Sequence, residues 1–80
     1  MEPDNWLVYL LCCSDNTLYC GITNNLIRRV DQHNKGRGAK YTRGRGPVTV
    51  IKTWTFQTKS EALKFEYYVK QLSREEKLKL

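Results

Sequence analysis

Eighty residues, 40% of them hydrophobic and 28% charged, leave room for one domain over residues 1–80 with a small core and exclude a second. No apolar run is long enough to cross a bilayer, and Glu2 and Asp4 stand where a cleavable signal would carry positive charge, so a cytoplasmic protein with no membrane partner is expected. The net charge of +6 favours a polyanionic partner.

After a short leader, Met1 to Asn5, the run from Trp6 to Cys13 has the β-branched, aromatic and leucine content of a buried strand. Ser14, Asp15 and Asn16 form a turn cluster, and Thr17 to Ile22 resumes strand character, which together predict an antiparallel hairpin. Cys12, Cys13 and Cys20 are odd in number and lack zinc-type spacing, so they read as small strand residues of a reducing compartment. An Asx-type start at Asn24 or Asn25 opens a first helix from about Asn25 to Asn34, ended by Gly36. Leu26, Val30 and His33 recur at helical spacing, and Arg29 and His33, four apart, share a face at the edge of the core.

The basic residues are concentrated rather than spread. No lysine or arginine precedes Arg28, whereas Arg28, Arg29, Lys35, Arg37, Lys40, Arg43, Arg45 and Lys52 then follow against the single acid Asp31. Arg28, Lys35, Arg37, Lys40, Arg43 and Arg45, interleaved with glycine and Tyr41, have the character of a nucleic-acid-binding stretch. The segment from Gly36 to Pro47 carries four glycines and no amphipathic period, and is expected to be a mobile loop in the absence of nucleic acid. Val48 to Phe56 alternates as a third strand, with Val48, Val50, Trp54 and Phe56 on one face if no bulge intervenes. Thr58 and Glu61 form a capping box for a second helix with the stripe Ala62, Phe65, Val69 and Leu72, and Glu66 at its margin. Ser73 and Glu76 form another box, opening a short terminal helix. The order is β-β-α-β-α-α, an α+β fold in which a small, mostly antiparallel three-stranded sheet is flanked by helices.

Tyr9 in Leu7-Val8-Tyr9, Tyr19 and Gly21 in Tyr19-Cys20-Gly21, and then Arg29, His33 and Glu66 follow the order and spacing of the GIY-YIG endonucleases, which the chain resembles over nearly its whole length. The stretch from His33 to Arg43 is similar to that of the small, single-domain, uncharacterised group allied to structure-specific branched-DNA endonucleases. Leu7 stands where the first motif has glycine and Cys20 where the second has isoleucine; no asparagine follows Glu66, although several branches of the family have one.

The resemblance implies hydrolysis of a phosphodiester, DNA rather than RNA, by a monomer. Glu66 would hold one Mg²⁺ or Mn²⁺, ions that keep most of their waters and so tolerate a single protein carboxylate. Arg29 would clamp the scissile phosphate. Tyr9 and Tyr19 would line the same pocket, one as base, although a free phenol titrates near ~10 and needs help from a cation. His33 would orient a phosphate or water, or itself be the base. With no room for a separate DNA-binding domain, target choice would fall to the basic loop, to substrate shape or to a targeting protein, and Tyr41 would stack on an unpaired base.

Plainer readings stand beside these. The tyrosines fit as hairpin aromatics, Gly21 as a strand-to-helix turn, and Glu66 as an i,i+4 partner of Lys70. A nucleic-acid-binding module with little or no catalysis is the competing function. The hydrolytic reading requires all five polar groups to converge on one patch.

Overall fold

A computed structural model describes residues 5–80, so the expected leader lies outside the described residues except for Asn5. The strands β1 (Trp6–Cys12), β2 (Leu18–Thr23) and β3 (Thr49–Phe56) form one antiparallel sheet in the order β2-β1-β3. Helices α1 (Leu26–Asn34), α2 (Lys59–Lys70) and α3 (Arg74–Leu78) complete the expected β-β-α-β-α-α order.

The apolar run of β1 makes it the central strand, buried on both faces. Val8 and Leu10 face α2 with Cys20, Ala62 and Val69, whereas Tyr9 and Leu11 lie with Cys13 and Val48 on the face that Leu26 and Val30 of α1 cover. The sheet therefore separates the two main helices. The alternation in β3 does not put its four apolar residues on one face. Leu10 pairs with Lys52 but Leu11 pairs with Val50, leaving Ile51 as the extra residue of a bulge. Val48 and Val50 consequently join the α1 side, and Trp54 and Phe56 join Phe65 of α2, with ring centroids 5.0 and 5.4 Å from it.

All three helix starts follow their local chemistry. Asn25 accepts from the Arg28 backbone N–H at 3.2 Å, and both Thr58–Glu61 and Ser73–Glu76 are complete capping boxes. The long glycine-rich connection differs from the expected free loop, because its Lys40–Thr42 segment is a 3₁₀ turn whose Thr42 is buried. Further anchors are Arg45 on Asp15 at 2.6 Å, the Ser14 N–H on the Arg45 carbonyl at 2.8 Å, and the Val48 N–H on Asn34 Oδ1 at 2.7 Å.

Candidate active site

Tyr9 sits opposite Gly21 in the β1–β2 register. Its ring folds over that glycine so closely that a Cβ there would lie 2.5 Å from Tyr9 Oη. Gly21 is thus required by a cross-strand contact rather than by a turn. From Tyr9 the polar contacts run inward: its hydroxyl meets His33 Nε2 at 2.9 Å, and His33 Nδ1 meets Thr42 Oγ1 at 2.7 Å.

The direction of these bonds follows from counting protons. Thr42 donates its one hydroxyl proton to the Ala39 carbonyl at 3.0 Å, so Nδ1–H must donate to Oγ1. The neutral imidazole then has a bare Nε2, and Tyr9 O–H donates to it. His33, expected at the core's edge, is 1% exposed and held inside the core between Tyr9 and Thr42. Helical spacing located its face, but the covering turn set its depth.

Burial, helped by the positive charge of Arg29, holds His33 below the usual imidazole range. Burial likewise pushes Tyr9 up to about 12, against a pull downward from Arg29. Both groups are therefore neutral at physiological pH. Because the folded His33 pKa is depressed, its contribution to stability is present above the unfolded value of ~6.5 and declines as pH falls through the folded value. For Tyr9 the sign is opposite: stability is complete below ~10 and lost as pH climbs toward 12, by an amount of order 2 kcal/mol. Urea unfolding across pH checks both arms, and Tyr9→Phe should remove the alkaline one.

Tyr19 is only half-buried, and four groups surround its ring. Tyr9 and His33 have centroids 6.3 and 5.4 Å away, Tyr41 stacks on it at 5.8 Å, and the Lys70 ammonium stands 5.6 Å above it. Tyr41 in turn carries the Arg45 guanidinium over its ring at 4.6 Å, so a base stacking on that side must displace an arginine. Arg29, half-buried beside this group, donates to Gln32 Oε1 at 3.0 Å and borders a cleft of about 170 Å³ with Thr23, Asn24, Asn25 and Arg28. Lys35 is paired with Asp31 at 2.9 Å and Arg45 with Asp15. Among the described residues, Arg28, Arg37, Lys40 and Arg43 are exposed without an acidic partner.

Four of the expected groups, Tyr9, Tyr19, Arg29 and His33, thus gather on the α1 face. Glu66 does not join them, so the expected convergence of all five groups on one patch fails for the carboxylate. It belongs to α2, in the opposite layer, where its side chain is 17% exposed and its carboxylate pairs with Lys70 Nζ at 3.4 Å. The link is Lys70, which rises past the outer edge of β2 to stand over Tyr19. Glu66 also lies near Cys20, whose thiol is pushed up to about 11, first by burial and then by that carboxylate. A protonated thiol is a poor ligand, which leaves one hard carboxylate at this edge. Such a donor suits a Mg²⁺-like ion that keeps its waters, provided that the ion displaces Lys70. No group of three or more His, Cys, Asp or Glu side chains arranged for a metal occurs among the described residues.

Thr42 and Gly38 were not apparent from sequence. A Cβ at Gly38 would fall 2.3 Å from His33 Nδ1, so the loop can cover the imidazole only with glycine there. The sole sequence sign of this was a glycine two residues beyond the helix-ending Gly36.

A compact antiparallel sheet with two tyrosines, an arginine and a histidine on one face defines a GIY-YIG-type nuclease domain, and the comparison with known families agrees. The profile described as "GIY-YIG catalytic domain" matches residues 5–79, and the chain belongs to this family. It is 51% identical over 73 residues to a UPF0213 protein of Nitratidesulfovibrio vulgaris, covering 91% of this chain and 66% of that one. To UPF0213 protein OB0043 of Oceanobacillus iheyensis it is 58% identical over 73 residues, 91% of this chain and 85% of the relative. The solution NMR structure of UPF0213 protein BH0048 from Bacillus halodurans superposes with a TM-score of 0.60 at 49% identity, over 94% of this chain and 80% of that one. Nucleases of the family generally use a divalent metal. No helix among the described residues is long and apolar enough to cross a membrane.

Proposed function

We propose that this chain hydrolyses phosphodiester bonds in branched, flapped or single-stranded DNA, dependent on a divalent metal and without reading sequence. One observation carries the reading: Tyr19 stands where α1, the basic loop and the Lys70–Glu66 edge of α2 meet, and it is the more accessible of the two motif tyrosines. Arg29 offers a planar fork to the phosphate entering the cleft beside it, and its charge offsets that developing on the non-bridging oxygens. The Tyr19 hydroxyl would first give its own proton to solvent and, as the oxyanion, then take one from the attacking water. Tyr9 and His33 are enclosed with their polar atoms bonded to each other and to Thr42, so they hold the wall of the site rather than touch the substrate. Mg²⁺ or Mn²⁺, bound through Glu66, would supply positive charge and a more acidic water. Arg28, Arg37, Lys40 and Arg43 bind phosphates on either side without distinguishing bases. Choice of target then comes from substrate shape or from a second protein.

The test is a panel of flap, junction, single-stranded and duplex DNA incubated with purified protein and Mg²⁺ or Mn²⁺. Nicking of branched or single-stranded substrates, lost on chelation and restored by added metal, is the expected result. Absence of product on every substrate overturns the proposal. The pairing of Glu66 with Lys70, across the sheet from Arg29, favours a second reading as a binding module with no turnover. That reading expects salt-sensitive DNA binding and no metal-dependent product.

A further inference from the structure

We propose that a nucleotide subsite lies at the start of β2, in the cleft between Tyr41 and α3, and takes one unpaired nucleotide of the DNA strand attacked at Tyr19. It rests on the nuclease reading for the strand it would hold. The cleft, about 250 Å³, is lined by Thr17, Leu18, Tyr41, Arg74 and Lys77, and none of Thr17, Leu18, Arg74 and Lys77 belongs to the motif constellation. Its chemistry divides as a nucleotide does: Leu18 presents apolar surface, the Tyr41 ring becomes a stacking face once a base displaces the Arg45 guanidinium lying over it, and two cations provide for a phosphate.

Helix α3 buries no residue, so its attachment does not come from core packing. It is fixed instead by Arg74, whose guanidinium donates to the Asn16 carbonyl in the β1–β2 turn, and just beyond its end by Lys52 of β3, whose ammonium donates to the Leu80 carbonyl at 2.8 Å. This attachment leaves Lys77 half-buried at the cleft, with no acidic partner among the described residues. The cleft also shares its walls with the proposed active site, because Leu18 adjoins Tyr19 and Tyr41 stacks on Tyr19. A strand leaving Tyr19 along this side meets the Tyr41 ring, in exchange for Arg45, and then two cations.

The experiment titrates the full chain, kept from cleaving by chelation, with a short oligothymidylate, following backbone amides by NMR and affinity by fluorescence anisotropy across salt. Amide shifts are expected at Thr17, Leu18, Tyr41 and Lys77. Lys77→Glu should weaken binding about tenfold and reduce the salt slope by about one, while Lys79→Glu, the same charge change on the neighbouring helix end, should do much less. Equal weakening by both variants, shifts absent from Thr17, Leu18 and Lys77, or equal binding of a polyglutamate peptide at those residues overturns the subsite. The two proposals fail separately. Cleavage by the wild-type protein with Lys77→Glu no worse than Lys79→Glu removes only the subsite, and the expected shifts with no cleavage of any DNA remove only the nuclease.

Discussion

Arg29→Ala should lower single-turnover cleavage at saturating DNA by about 10²–10³-fold, the usual loss when a fixed donor to developing oxyanion charge is removed from a protected site. Its effect extends beyond the phosphate. The guanidinium holds the His33 pKa down and draws that of Tyr9 downward against burial, so its removal should raise both. Because these groups are neutral before and after the change at physiological pH, the fold should survive and DNA should still bind through the loop. Arg29→Lys keeps the charge but loses the planar fork, and should recover only part of the rate. A second variant, Glu66→Ala, should give no product above background in any metal, with binding preserved. If Arg29→Ala cleaves within about threefold of wild type, the guanidinium does not meet the transition state and the assignment fails. Activity of equal size in wild type and both variants would belong to a contaminant.

Features decided within a few residues were legible in the sequence. Asn25, Thr58 and Ser73 each cap a backbone N–H three positions on, and their helices begin there. The unbroken apolar run of β1 likewise announced a mostly buried strand, which α2 covers on one face and α1 on the other. Features decided between elements were not. The bulge at Ile51 depends on which residues of β1 it pairs with, and the alternation of β3 carries no record of that pairing. Glu66 was correctly put at the margin of its stripe, but the stripe does not say which side of the sheet the helix will cover. Gly21 was recognised as a motif glycine, while its physical reason, the Tyr9 ring lying across it from the neighbouring strand, needed the register. The four polar groups of the α1 face were legible through their order and spacing, which match a known family's, and not through rarity, since the chain has five tyrosines and six arginines beside its one histidine. Their depth was not, since a turn nine residues after His33 in sequence encloses it.

Gly38→Ala should destabilise the protein by about 2–4 kcal/mol, combining the usual cost of overpacking with that of a broken buried hydrogen bond. The added carbon would stand 2.3 Å from His33 Nδ1, 2.7 Å from Cγ and 2.8 Å from Cε1. The imidazole cannot give way as the tip of a flexible chain would, because Tyr9 holds one nitrogen and Thr42 the other. The loop must lift instead, which pulls Thr42 off Nδ1 and lets water reach the ring. Gly44→Ala separates this mechanism from a backbone effect: Gly44 has φ of +76° with open space around it, so alanine there should cost only about 1 kcal/mol through conformational strain. Urea unfolding compares the two variants, and nitrogen NMR of the imidazole reads the tautomer directly. Wild type should carry its proton on Nδ1, whereas Gly38→Ala should show exchange between tautomers and a His33 pKa moved up toward the ordinary value. Combining Gly38→Ala with His33→Ala removes the atoms that clash, so the double variant should be more stable than the sum of the single losses by at least about 1 kcal/mol. Simple additivity would mean that the loop does not rest on the imidazole, and the enclosure of His33 would then need another cause.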